Sequence, residues 1–401
     1  MHIEPITCLR PQPERVAEFA ALPYDVFTDA EARTYASEHP TSFLTIDRPE
    51  TSFEVGHDPT APEVYAKASE LIRERQLDRT LVPDETPCYY LYELSTDGHR
   101  QMGIMAAVAV DDYLDGTIKR HELTLPSKEL DRVCHIRATR AQTGPVFLAY
   151  RDSQAIDFIL EAARQASPLY DFVSGDGVRQ RVWRIARPVA VEAIGVAFTT
   201  VPCAYIADGH HRAAAAVRVC QERREEGREH DPAEAFLAVL FPASQLRILP
   251  YDRVLADTAG LDEKDLVERL AGAGFTCSEP HDAHVAPTKK GTFEMYAFGS
   301  WRTLSWTGNA DELDVSVLQD NVLGPILGIT DPRTDARISF FGGGDAEVLR
   351  AHAGTDGMAF SLFPTSMDEL MGTSDAGGLM PPKSTWFDPK LLSGLALRRI
   401  W

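Results

Sequence analysis

A chain of 401 residues can bury a large core and is expected to fold as two or three lobes. Its composition, 44% apolar and 25% charged, is that of an ordinary globular protein. A formal net charge of −20 argues against a broad nucleic-acid footprint and against attraction to an anionic membrane. A phosphate ligand remains open, because a local pocket of amides and arginines can oppose the global field. Cys8, Cys88, Cys134, Cys203, Cys220 and Cys277 form no C-x-x-C pair and no zinc or disulfide pattern, which fits a reducing cytoplasm. Residues 1–10 hold no basic segment followed by an apolar one, so no signal peptide is expected. The longest clean apolar runs, such as 104–110, are too short to span a bilayer.

Along the chain, Leu22-Pro23-Tyr24-Asp25-Val26 sets Asp25 just after a proline-stiffened turn. Thr28-Asp29-Ala30-Glu31 reads as a capping box, and its helix should stop near His39-Pro40. Val64, Ala68, Leu71 and Ile72 share one face of a helix expected over 62–76. Strands over 88–94 and 103–110 flank Ser95-Thr96-Asp97-Gly98, a hairpin signal. Next come Lys119-Arg120-His121-Glu122-Leu123-Thr124 and, shortly after, Lys128, Glu129, Asp131 and Arg132. This stretch reads either as a charged surface loop or as one wall of an anion pocket. His121-Glu122 begins like a zinc-protease helix, but Leu125 stands where the second histidine belongs, so that reading is set aside. Ile156, Ile159, Leu160 and Ala163 predict a helix over 152–165. The β-branched stretch 182–200 reads as extended, and 201–207 as a buried strand.

The most informative stretch follows that strand: Asp208-Gly209-His210-His211-Arg212, opening the alanine-rich start of a helix expected over 213–228. The first amides of a helix lack partners within it and carry partial positive charge, which makes such a junction an anion site. Gly209 lets the backbone approach a ligand. Arg212 offers a planar fork for phosphate or carboxylate, and its loss is expected to spare the fold because a helix start is exposed. The aspartate and the two histidines add proton-transfer and metal-binding chemistry. The plainer reading is an Asp208 helix cap with polar neighbours.

The charged run 222–229 reads as a solvated helix end, and 235–241 as another buried strand. Past Asp257 the texture shifts, with a helix over 262–271 ending at Gly272 and Gly274 and glycine-rich stretches at 342–344 and 372–382. The expected division is therefore 1–256 and 257–401. Lys383-Ser384-Thr385 follows a double proline and supplies donors suited to phosphate, without the glycine spacing of a P-loop. It reads equally as a docking tail tucked by Trp386 and Phe387. Neither a G-x-S-x-G elbow nor a G-x-G-x-x-G fingerprint after a strand is present. The fold class is α+β or mixed α/β.

Taken together, 22–27, 119–132, 208–212 and 381–395 resemble, in this order, the boxes of the family known as domain of unknown function 1015. The resemblance implies phosphorylation of free serine, including with pyrophosphate as donor. The central box is also similar to the ParB/sulfiredoxin-like fold, where a strand–box–helix junction holds nucleotide phosphates; an ADP-dependent free serine kinase belongs to that group. The implied architecture is a phosphate-site lobe carrying the box, with an additional α/β lobe whose tail closes the site. His210 stands where sulfiredoxin has its cysteine, so sulfinic-acid reduction is not implied.

The expected function is thus a small-molecule kinase acting on free serine or a similar hydroxyl metabolite, with ATP, ADP or pyrophosphate as donor and Mg²⁺ as cofactor. Arg212, Gly209 and the helix-start amides would hold the donor. Asp208 would bind Mg²⁺ or take the hydroxyl proton, with Glu122 the other candidate base and Asp25 the other metal ligand. His210 or His211 would donate to the phosphoryl oxygens. Arg120, His121, Lys128, Arg132, Lys383, Ser384 and Thr385 are the remaining candidate contacts. Nucleic-acid and membrane partners are not expected. Two alternatives stand beside this one: a regulator that binds a nucleotide or phosphometabolite without turnover, and a metal-dependent phosphohydrolase using Asp208, His210 and His211.

Overall fold

The computed structural model describes residues 1–228 and 231–401; Glu229 and His230, the end of the charged run and the residue beyond it, lie outside the described residues. The chain forms two compact units, Met1–Leu246 with Pro389–Trp401, and Arg247–Asp388. The composition change past Asp257 falls just inside the second unit. The return at Pro389 carries no compositional sign. It occurs because Leu397–Arg399 is an inner strand of a four-stranded sheet, between Cys8–Pro11 and Ala141–Gln142.

The first unit is built on a mixed sheet. Its order is Ile118–Lys119, Ala204–Asp208, Val146–Tyr150, Ala235–Pro242, His99–Ala109, Tyr89–Thr96, Arg179–Ile185 and Tyr170–Val173, with Ile3–Glu4 added on His99–Ala109. The hairpin expected around Asp97-Gly98 forms, with Thr96 opposite His99 and Gly98 at φ +81°. That positive φ is what a tight two-residue turn demands, and glycine adopts it without strain. Leu91, Ile104, Leu148, Ile206 and Leu240 bury themselves in one core with Ile156, Leu160, Ile194 and Phe198. The last four come from the helices Gln154–Ala163 and Pro188–Phe198. Each such side chain contributes about 1.5–3 kcal/mol on burial.

The expected capping box is present: the Thr28 hydroxyl accepts from the Glu31 amide and Glu31 accepts from the Thr28 amide. Two stretches depart from the reading above. The strand ends at Ile185, and Pro188–Phe198 is helical rather than extended. Pro188 at the first helical position is preorganised for a helix, and burial of Ile194 and Phe198, four apart, outweighs the β-preference of the valines. The segment after Leu125 is no surface loop but the helix Pro126–Thr139, again opened by a proline. Within 372–382, Gly372 lies inside the helix Met367–Asp375.

The second unit carries a six-stranded antiparallel sheet in the order Phe275–Cys277, Ser300–Trp306, Thr292–Ala297, Met358–Leu362, Tyr251–Leu255 and Ile338–Gly342. Leu266, Leu270, Phe293, Leu304 and Phe360 fill its core. The fold class is therefore mixed α/β, as expected. Among the described residues no helix is long and apolar enough to cross a membrane, and the six cysteines are all free thiols.

Candidate functional site

Strand directions gather the site at one end of the large sheet. Ala204–Asp208 runs parallel to Ile118–Lys119, so the chain leaves both strands at the same end. Residues 120–125 and the 208–212 box are thereby brought side by side. Val146–Tyr150 runs antiparallel to Ala204–Asp208, which puts its approach segment, Thr143-Gly144-Pro145, at that end too. The crevice beyond the carboxyl ends of strands is where open α/β sheets bind ligands. The register slips between Ile206 and Asp208, a bulge that re-aims the Asp208 side chain.

At the junction the helix His210–Glu225 begins three residues earlier than the alanines suggested, with Gly209 as its N-cap in the left-handed region at φ +93°. Asp208 is not the cap. Its Oδ1 accepts the Gly209 amide at 2.8 Å, and no side chain caps the helix start. Asp208 Oδ2 receives the ammonium of Lys390 at 3.1 Å, with the Arg212 guanidinium at 3.9 Å. Nor is Arg212 exposed as expected: its side chain is only 12% exposed, and Nη1 donates to the Pro145 carbonyl at 2.6 Å. It folds back against the turn, so a Cβ on Gly209 would sit 3.0 Å from its Nε. Burial opposes the Arg212 charge, but Asp208, Asp25, Tyr24 and Asp47 outweigh it and raise its pKa.

Arg212 lines a small cleft together with Tyr24, Asp47, Arg132, Gln142, Thr143 and Gly144 among others. Arg132 reaches it from the helix Pro126–Thr139, with its guanidinium 4.1 Å from the centre of the Tyr24 ring. It pairs with Asp131 at 2.7 Å and approaches Asp47 Oδ1 at 3.8 Å. Burial again works against the charge, and Tyr24, Asp131 and Asp47 hold the Arg132 pKa above its ordinary value. Burial also pushes the Tyr24 phenol up to about 12, against the pull of Arg132. Buried guanidiniums with carboxylate neighbours are costly unless hydrogen-bonded, and these two are.

The histidines face different partners. His211 Nε2 accepts the Leu125 amide at 3.0 Å, which commits that nitrogen and puts the ring proton on Nδ1. His210 is buried and its ring lies perpendicular to that of His121, 4.6 Å between centres. Candidate ligand atoms of His121, Glu122 and His210 lie within 4.8 Å of one another. Burial pulls the His121 ring down to about 4, against the field of Asp208 and a hydrogen bond to the Ile206 carbonyl. Burial, then His121, push His210 well below its ordinary value. Both rings are neutral at pH 7.

The other expected residues have surroundings of their own. Arg120 is exposed, over the Tyr113 ring, and Lys128 is exposed in the first turn of its helix. Asp25 is exposed, though close enough to act on Arg212. Lys383, Ser384 and Thr385 belong to the second unit. There Lys383 sits over the Tyr251 ring at 5.5 Å, and the buried Ser384 hydroxyl donates to the Pro381 carbonyl at 2.5 Å. Sequence reading passed over Lys390 and Asp47. No local signal marks either one; they reach the site through the returning C-terminal segment and the helix Leu44–Asp47.

A model of the family described as "Protein of unknown function (DUF1015)" matches residues 3–319. No curated protein matches the chain. Among solved structures, SbnI with a C-terminal truncation, from Staphylococcus aureus, is 12% identical with a TM-score of 0.42, over 73% of this chain and 87% of that one. A conserved hypothetical protein from Pyrococcus furiosus is 14% identical at 0.38, over 75% and 97% respectively. A mutant free serine kinase in complex with ADP is 14% identical at 0.37, over 71% and 87%.

Proposed function

This chain belongs to the DUF1015 family, and on that premise we propose that it transfers a phosphoryl group from a nucleotide or pyrophosphate donor to the hydroxyl of free serine or a similar metabolite. The observation that carries the reading is the pairing of two arginines, Arg132 buried and Arg212 largely so, on one cleft beside an uncapped helix start in a strongly acidic protein. Phosphoryl transfer asks the protein for positioning and charge neutralisation more than covalent chemistry. Arg212 and the helix-start amides bind the donor phosphates, and Arg132 forms the second cationic wall. The chemistry is one P–O bond broken in the donor and one formed to the serine oxygen.

Asp208 is the residue assigned to take the hydroxyl proton. Lys390 holds its carboxylate in place at 3.1 Å. Mg²⁺ is ordinarily held by one or two carboxylates together with substrate phosphates. Asp208 and Asp25, the carboxylates acting most strongly on Arg212, fit that requirement. The ion would supply neutralisation of the charge on the donor oxygens. His211, whose Nε2 accepts the Leu125 amide, is assigned as a donor to a phosphoryl oxygen. His210, neutral and buried, is not assigned a proton-transfer role.

The test is to incubate the protein with serine, Mg²⁺ and, in turn, ATP, ADP and pyrophosphate, and to follow phosphoserine by phosphorus NMR. A second reading, a metal-dependent phosphohydrolase, is favoured by one observation, the clustering of His121, Glu122 and His210. It predicts inorganic phosphate released from the donor with no acceptor present.

A further inference from the structure

We propose that His121, Glu122 and His210 together hold a divalent transition-metal ion of the zinc class, through one ring nitrogen of each imidazole and the carboxylate, with one coordination position left open. This centre is separate from the oxygen-rich Mg²⁺ position assigned above. It stands whether or not the chain transfers phosphoryl groups.

The geometry comes first. The ligand atoms lie within 4.8 Å of one another. Metal–nitrogen and metal–oxygen bonds of about 2.0–2.2 Å bring two ligands on one tetrahedral ion to roughly 3.4 Å apart, so a closure of about an ångström completes the set. The elements allow it. His210 opens a sixteen-residue helix and is fixed. Glu122 stands outside regular structure, between Ile118–Lys119 and Pro126–Thr139.

The hydrogen bonding points the same way. His210 is only 8% exposed, and its Nε2 is buried with no hydrogen-bond partner among the described residues. A buried polar atom in that condition asks for a ligand. His121 bonds the Ile206 carbonyl through its ring. Metal-bound histidines do this routinely: the second nitrogen donates to a carbonyl or carboxylate, which fixes the tautomer and aims the first.

The donor set selects the ion. Two imidazoles and one carboxylate suit zinc and its first-row neighbours, whereas magnesium prefers oxygen ligands throughout. Three protein ligands leave a tetrahedral ion one open position, the pattern of catalytic rather than structural sites. An ion there would stand at the helix start, where it could polarise a phosphoryl oxygen. With Glu122 engaged as a ligand, Asp208 is left as the base.

The full-length protein, stripped of metal with a chelator, is titrated with Co²⁺ while its visible absorption is followed, with no phosphoryl donor present. One Co²⁺ per chain with the strong visible bands of a four- or five-coordinate ion is expected, and Zn²⁺ should displace it. Loss of an outer-shell partner alone typically weakens metal binding by about 10–100-fold. His210→Ala, which removes a ligand outright, and Glu122→Gln, which replaces the anionic carboxylate by a weak neutral donor, should both weaken Co²⁺ by more than ~100-fold. Glu122 is only partly buried, so Glu122→Gln decides the matter should His210→Ala unfold, as near-ultraviolet circular dichroism would report. Absence of the bands in the wild type overturns the inference, as does an unchanged Co²⁺ affinity in Glu122→Gln. Because the readout is metal binding alone, failure of the kinase reading leaves either result interpretable.

Discussion

Arg212→Ala separates what the arginine does for the fold from what it does for a ligand. On the fold side, the substitution removes the bond from Nη1 to the Pro145 carbonyl and the attraction to Asp208 at 3.9 Å. A hydrogen bond to a charged group is worth about 1.5–3 kcal/mol, so a loss near 2 kcal/mol is expected. The helix keeps its start, because the cap is Gly209 backbone and not this side chain. Asp208 keeps Lys390, so no carboxylate is stranded. A loss of about 2 kcal/mol lowers the melting temperature by several degrees in a unit of this size, while circular dichroism stays native. On the ligand side, one charge-assisted hydrogen bond to a phosphate goes as well. At 1.4 kcal/mol per tenfold, about 1.5–3 kcal/mol corresponds to a 10- to 150-fold rise in the Kd for pyrophosphate or ADP. Calorimetry on wild type and variant, alongside melts, measures both. A folded variant whose Kd for each donor stays within twofold of wild type would refute the phosphate assignment.

Three further outcomes follow from the same geometry. Asp208→Asn removes the charge but keeps the shape, and phosphoserine formation in a rapid-quench assay should fall by about 10²-fold or more while donor affinity without Mg²⁺ changes little; turnover within a few-fold of wild type would move the base elsewhere. Gly209→Ala forces a left-handed alanine and sets its Cβ 3.0 Å from Arg212 Nε. It should cost at least about 1–2 kcal/mol in a denaturant melt, and an unchanged midpoint would contradict the close approach. His135 is buried with Nε2 2.8 Å from the Ile46 carbonyl, and burial, then Arg132, lower its pKa below 6.5. The unfolded chain therefore binds a proton that the native state refuses, so stability is full above pH 6.5 and falls as the pH drops below it. His135→Gln should flatten that fall between pH 7 and pH 5, as read from urea midpoints; an equal slope in both proteins would show that His135 is not the group responsible.

The capping box at Thr28, the Asp97-Gly98 hairpin and the strand before Asp208 were legible because each is set by a few neighbouring residues. The helix Pro188–Phe198 was not, since its valines favour extended backbone and only tertiary burial of Ile194 and Phe198 decides otherwise. At the candidate site, the 208–212 box was readable as a strand-to-helix junction, but which groups it meets was not. Lys390 reaches Asp208 across 182 positions of sequence, through a C-terminal segment that rejoins the first unit. His121 and Glu122 meet His210 because two strands pair in parallel, a register no local pattern encodes. The sequence offers no second histidine at Leu125, and His210 comes close to the same His-Glu pair from a different element.

Phosphorus NMR of the purified protein with serine, Mg²⁺ and each of ATP, ADP and pyrophosphate tests the central claim most directly. The account predicts a phosphoserine resonance that grows with time for at least one donor, depends on added serine, and is lost in Arg212→Ala and Asp208→Asn. Donor binding with no phosphoserine from any of the three, or inorganic phosphate released at the same rate without serine, would contradict it.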